Sequence, residues 1–405
     1  MNNNNNSNIN LTNKQFEIFC GTGGVGKTTL AASRAIYLAK QNLRVLLITI
    51  DPSLRLKELL NLNESSRGNI EPIDIDNGCK FHALLMTPKF SIIRALQFNC
   101  RNGEYVNPEK VKANKIIASL TEPLGGMGEI LAPMELQYHF NNKEFDVIIV
   151  DTPPGKHFID FLESSKKISK FFDQRFIEIF QNLKKNIDTI YNNYSSKSKI
   201  KDFFSFPIQN VINRGIKSIL GYLEDVTGKI FINDFIEAIG LIYQLKDPFI
   251  KSMEINKYLT DANYTNWFFV TSAEHDKMKE TSNMQSSVNS FLTNRYVVLN
   301  KCLSEELQTL SRPLPQLDNI HSSNTSESDL QKHYKALRKI KEALSLKENT
   351  LKEYALKNFP HVLEFREVIS SSTKDQLDIL CNEWNKFDAN ANANISEYQD
   401  ESSIE

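Results

Sequence analysis

Near-continuous apolar runs mark the chain at intervals. Phe16–Cys20 (FEIFC), Arg44–Ile50 (RVLLITI), Phe145–Val150 (FDVIIV), Trp267–Ser272 (WFFVTS) and Tyr296–Asn300 (YVVLN) are five such runs, and Val362–Val368 (VLEFREV) is a late sixth. Apolar residues in unbroken succession, instead of in alternation, describe strands buried on both faces, the pattern of a parallel sheet. After the first run, Leu30, Ala31, Ala35, Leu38 and Ala39 recur near helical spacing within Thr28–Gln41. Parallel strands this far apart in sequence need crossover connections, usually helices. The pattern predicts an α/β fold: a doubly wound, mostly parallel sheet.

From about Phe158 to Tyr258 the pattern changes to a long, aromatic-rich stretch of helical period with few strand signals. Phe203, Phe204, Phe206, Ile208, Val211, Ile212, Ile216, Ile219 and Leu220 can line one face of helices there. This predicts a helical subdomain, about 158–262, inserted into the α/β core. Leu330–Tyr354 reads as a charged helix with a solvated face. Residues 1–13 are Asn-rich, and 388–405 carry acids and no basic residue. Both ends are expected to be disordered, leaving 14–387 as one domain.

Charge and composition narrow the function. Across 405 residues, 48 Lys+Arg face 49 Asp+Glu, a formal net charge of −1, which leaves no footprint for nucleic-acid binding. No apolar run approaches the ~18–20 residues that span a bilayer. Met1–Asn10 has neither the basic region nor the apolar stretch of an export signal. Cys20, Cys79, Cys100, Cys302 and Cys381 are odd in number and form no CxxC pair, against a disulfide framework or Cys-type zinc site. The expectation is a cytoplasmic protein whose membrane contact, if any, is transient.

Glycine is scarce, 15 in the whole chain, yet Gly21, Gly23, Gly24 and Gly26 fall within six residues, and Gly125, Gly126 and Gly128 form a second cluster. Gly21-x-x-x-x-Gly26-Lys27-Thr28 is the full phosphate-binding P-loop pattern, set between a strand and a helix as that motif requires. The glycines at Gly23, Gly24 and Gly26, around Val25, let successive backbone N–H groups face phosphate oxygens, and the helix from Lys27, Thr28 and Thr29 adds its N-terminal dipole. Lys27 is placed to bridge the β- and γ-phosphates, and the Thr28 hydroxyl to hold Mg²⁺. Asp151, which ends FDVIIV, is the candidate second magnesium ligand. Asp51, which ends RVLLITI before Pro52, is the candidate to orient an attacking water.

These residues resemble the ArsA-like ATPases, a family that includes arsenite-pump ATPases and the targeting factor for tail-anchored membrane proteins. The resemblance rests on GTGGVGKTTLAAS (Gly21–Ser33), LLITIDPSLRL (Leu46–Leu56) and VIIVDTPPG (Val147–Gly155). It continues in His157–Arg175, which is similar to the family's bacterial branch, and in Gly125–Leu136 and Phe269–Thr281. It implies a P-loop fold with a helical insertion, with ATP and Mg²⁺ as cofactors. The first switch then corresponds to Asp51-Pro52-Ser53, with Asp51 as the water-orienting carboxylate, and the second to Asp151-Thr152-Pro153-Pro154. Asn300 corresponds to the residue that recognises adenine. In place of a guanine-reading Asn-Lys-x-Asp the chain has Asn300-Lys301-Cys302-Leu303, which favours ATP over GTP.

One departure bears on mechanism. Many members of that family carry a lysine before the Gly-Gly of the P-loop, reaching the partner's nucleotide across a dimer; here the position is Thr22, which supplies no positive charge. The reading is a Mg²⁺-dependent ATPase that works as a conformational switch coupled to a protein client, with a homodimer left open by Thr22. The alternatives are a nucleotide-gated binding protein or chaperone with negligible hydrolysis, and a P-loop kinase.

Overall fold

The computed structural model describes residues 11–50, 55–63, 66–75, 78–100, 108–115, 117, 127–155, 238, 250–288, 292, 294–303, 327–370 and 372–388. Within them one eight-stranded sheet forms from β1 (Phe16–Gly21), β2 (Val45–Thr49), β3 (Ile70–Asp74), β4 (Lys80–Leu85), β5 (Val147–Asp151), β6 (Thr265–Ser272), β7 (Arg295–Cys302) and β8 (Val362–Arg366), in the order β3-β4-β2-β5-β1-β6-β7-β8. Every pairing is parallel except β3 with β4. Helices cover both faces, so the architecture is the doubly wound, mostly parallel sheet that the hydrophobic pattern predicts.

Alternate residues of each strand feed two separate cores. Phe19, Leu47, Ile149, Phe268, Val298 and Phe365 face α1 (Lys27–Lys40) and its neighbours, where Leu30, Ala31 and Leu38 meet Leu380 and Trp384. Ile18, Leu46, Ile148, Val150, Trp267 and Val297 face the other way, toward Leu136, Leu259, Met278, Val288 and Leu351. These come from α5 (Met127–Asn142), α6 (Ile255–Thr260), α7 (His275–Val288) and α8 (Glu327–Asn358). The shorter α2 (Arg55–Leu59), α3 (Pro88–Cys100) and α4 (Pro108–Ala113) lie between β2 and α5 in sequence, and α9 (Thr373–Glu383) follows β8.

Two buried ion pairs interrupt this apolar packing. On the α1 face, Arg34 holds Glu17 with two hydrogen bonds of 2.8 Å and stacks between the rings of Tyr37 and Trp384. On the other face, the Glu135 carboxylate accepts a bond from His139 at 2.9 Å and pairs with Arg94 at 2.6 Å. Burial opposes charge on Glu135, but His139 and Arg94 outweigh it and hold the carboxyl down to about 2.

Several elements differ from the sequence expectation. β3 and β4 were not anticipated: β3 lies at the sheet edge, contains Pro72 and buries no residue fully, so it lacks the continuous apolar signature. The charged helix is longer than Leu330–Tyr354, occupying Glu327–Asn358. Both expected disordered ends reach into the structure. Leu11 is buried and donates its N–H to the Phe387 carbonyl, and Asp388 is 1 % exposed, accepting bonds from Tyr37 and Gln41. An apolar Leu11 and a doubly hydrogen-bonded Asp388 each have a reason to order that local composition conceals. Apart from residues 238 and 250–262, the expected helical subdomain lies outside the described residues.

Candidate functional site

The sheet order puts β1 between β5 and β6, so the chain leaving β1 emerges in the middle of the carboxyl edge, where open α/β sheets build their sites. Gly24 and Gly26 adopt φ of +80° and +90°, a backbone that side-chain-bearing residues rarely accept. At Gly26 a Cβ would also collide with the Asn300 amide. Helix α1 follows at once, with no side-chain cap at its N-terminus and no acid in its first turn. Its leading N–H groups are therefore left for an external acceptor, and the dipole favours an anion there.

Lys27 is buried, and its Nζ donates to the Thr22 carbonyl at 3.0 Å, folded back onto the loop. Thr22 is itself only 2 % exposed, enclosed by its own chain. The Thr28 hydroxyl donates to Asp151 Oδ2 at 2.7 Å, and Thr49 at the end of β2 donates to the same oxygen at 3.3 Å. The sheet register explains the meeting, because Asp151 is opposite Phe19 on one side and Thr49 on the other. A hydroxyl and a carboxylate side by side are hard oxygen donors of the kind Mg²⁺ takes. The residues present therefore fit a nucleotide phosphate with its magnesium: Thr28 and Asp151 would hold the metal, and the loop amides and Lys27 the phosphates. Beyond Asp151, Thr152 donates to the Phe19 carbonyl at 3.0 Å and the Gly155 N–H to the Gly21 carbonyl at 3.1 Å. The expected second switch is thus tied to the root of the P-loop.

Asn300 ends up beside the loop, buried, its amide donating to the Val25 carbonyl at 2.8 Å. It braces the loop and also lines a cavity of about 230 Å³ with Gly24, Lys301, Arg366, Glu367, Val368 and Leu380. A second cavity of about 300 Å³ is lined by Lys27, Thr28, Glu58, Leu59 and Thr373. Gly26, Thr29, Arg55 and Gln376 line both. The sequence alone did not single out Thr49, Arg55, Thr373 or Gln376; Thr49 and Arg55 fall within the block Leu46–Leu56 without an assigned role there, while Thr373 and Gln376 lie in no motif. Cys20 lies beneath the loop as a buried strand residue, its thiol pushed up by burial against the opposing pull of Lys27. Asp51, Pro52 and Ser53 of the expected first switch, and Gly125 and Gly126, lie outside the described residues. Among the described residues no helix is long and apolar enough to cross a membrane.

An ATPase described as an ASNA1 homolog from Plasmodium yoelii yoelii is 31 % identical over 142 residues, 35 % of this chain and 34 % of the relative. The get3 ATPases of Schizosaccharomyces japonicus and Schizosaccharomyces pombe are 30 % and 31 % identical over 150 residues, 37 % of this chain and 44 % and 43 % of theirs. The chain thus matches between a third and under half of the length of these relatives. They are eukaryotic, so the likeness to a bacterial branch is not supported at that finer level, and what stands is the wider family. The family model described as anion-transporting ATPase matches residues 14–230, more than half of the chain, and the protein belongs to that ArsA family of P-loop ATPases.

Proposed function

We propose that the protein is a nucleotide-gated binding protein, in which ATP and Mg²⁺ at the P-loop set the conformation and hydrolysis by the chain alone is slow. The observation that carries this reading is the Thr28–Asp151 pair at 2.7 Å beside an uncapped helix start, in a loop whose position 22 is a buried, uncharged threonine. The amides of Gly23, Gly24, Val25 and Gly26 and the first turn through Thr29 take the phosphates. Lys27 exchanges the Thr22 carbonyl for a phosphate oxygen, and Asn300 borders the base. Magnesium, when bound, supplies charge neutralisation at the β- and γ-phosphates. Asp51 keeps, by resemblance, the role of orienting water. With no lysine at position 22, the positive charge that speeds phosphoryl transfer in trans is not provided from there, which favours a gate over a rapid hydrolase.

In this reading 14–387 is one ATPase domain, in the cytoplasm, whose insertion at about 158–262 engages a protein client or a second copy when the nucleotide state changes. Tight binding of ATP over GTP, with Lys27→Ala weakening ATP binding at least about tenfold, is expected by calorimetry. Phosphate release is expected on the order of 10⁻³ s⁻¹, like unassisted switch NTPases. Turnover of about 1 s⁻¹ or faster without a partner would instead establish a hydrolase in its own right. Failure to bind ATP would end the proposal.

A further inference from the structure

The loss of a cation at position 22 leaves Lys27 as the only charged side chain on the loop itself. A second cation borders the same space from another element. Four residues line both cavities at the start of α1, and Arg55 is the one of them that carries charge. It opens α2, is exposed, and among the described residues no hydrogen bond or ion pair holds its guanidinium, although Glu58 lines one of the same cavities. Of the other cations lining these cavities, Lys27 bonds the Thr22 carbonyl and Arg366 pairs with Glu383 at 3.5 Å, while Lys301 is exposed and borders only the cavity of about 230 Å³. An exposed guanidinium that lines the same two cavities as a phosphate-binding helix start is suited to bidentate phosphate contact, and its fork geometry is not reproduced by lysine.

We propose that Arg55 is a second phosphate-binding cation, supplied in cis, which clamps the α- and β-phosphates from the side opposite the loop amides. The placement follows from the residues it shares the two cavities with, Gly26 and Thr29, whose backbone faces that part of the nucleotide. The inference rests on the ATP reading above. In it, one protomer holds both cations, so binding of nucleotide does not need a partner's side chain at position 22.

The test is the affinity of Mg-ATP and Mg-ADP for wild type, Arg55→Ala and Arg55→Lys, with the thermal unfolding of each ligand-free protein. Arg55→Ala is expected to weaken both nucleotides at least about tenfold, the scale of a charged hydrogen bond, and Arg55→Lys to recover part of the loss. Ligand-free unfolding is expected to be unchanged, since the exposed arginine holds no described partner. Wild type that binds while Arg55→Ala binds equally well overturns this inference alone. A loss confined to ATP also overturns it, by moving Arg55 to the γ-phosphate. Wild type that binds neither nucleotide overturns the ATP reading itself.

Discussion

Glu135 shows how much a single buried side chain ties stability to pH. Its carboxyl sits well below its ordinary value of 4.5, at about 2, because His139 and Arg94 stabilise the charged form more than burial penalises it. The folded state therefore binds the proton less readily than the unfolded chain. The pair's contribution is complete above the ordinary carboxyl value and is lost as pH falls from there toward about 2. Glu135→Gln is expected to cost about 3–5 kcal/mol at neutral pH, the scale of breaking a buried ion pair from one side. It should also flatten the decline of urea midpoints between pH ~4.5 and ~2; a decline as steep as the wild type's would remove Glu135 as its source. At this scale the sequence was most legible where function constrains spacing. Thr28 and Asp151, which the sequence reading places at one site, are joined by a hydrogen bond of 2.7 Å, whereas Thr49 and Arg55, though inside the block Leu46–Leu56, become visible only when strand register and helix position bring them to the loop.

Among the elements, α9 and the short 3₁₀ turn after it, Trp384–Phe387, have the largest effect on α1. Trp384 is fully buried, packs edge-on against Phe19, Phe268 and Phe365, donates its indole N–H to Ser33 at 3.0 Å, and stacks on Arg34. The helix that presents the phosphate site is thereby fixed to the last described turn of the chain. Trp384→Ala is expected to cost about 3–5 kcal/mol in chemical denaturation, and Trp384→Phe less, because most of the ring volume returns; equal losses would mean that the Ser33 bond, not packing, dominates. The interior strands were legible because burial on both faces writes an unbroken apolar run. β3 was not, since an edge strand with no fully buried residue needs no such run, and α9 was not, since its buried residues are only Leu377, Leu380, Cys381 and Glu383.

Over the whole molecule, the order β3-β4-β2-β5-β1-β6-β7-β8 separates two ends with different work. The carboxyl edge carries the loop, Asp151 and Asn300, while the amino edge carries the Glu17–Arg34 pair and the join between Leu11 and Asp388. The doubly wound class was written in the apolar runs, because parallel strands leave few other ways to connect. That join was not, because the composition around Leu11 and Asp388 is that of solvated ends, and only pairing across the fold orders them. Its consequence is topological: the first and last described stretches of the chain are hydrogen-bonded neighbours. A circular permutant in which a short Gly-Ser linker leads from 388 to 11, with new termini at the turn between half-buried Ala262 and exposed Asn263, should fold and bind ATP with wild-type affinity, as both the splice and the cut lie at the edge remote from the P-loop. A permutant that folds but binds more weakly would show that strain at the amino edge travels along α1 to the phosphates. Unimpaired binding would give a scaffold whose ends can carry reporters without touching the site.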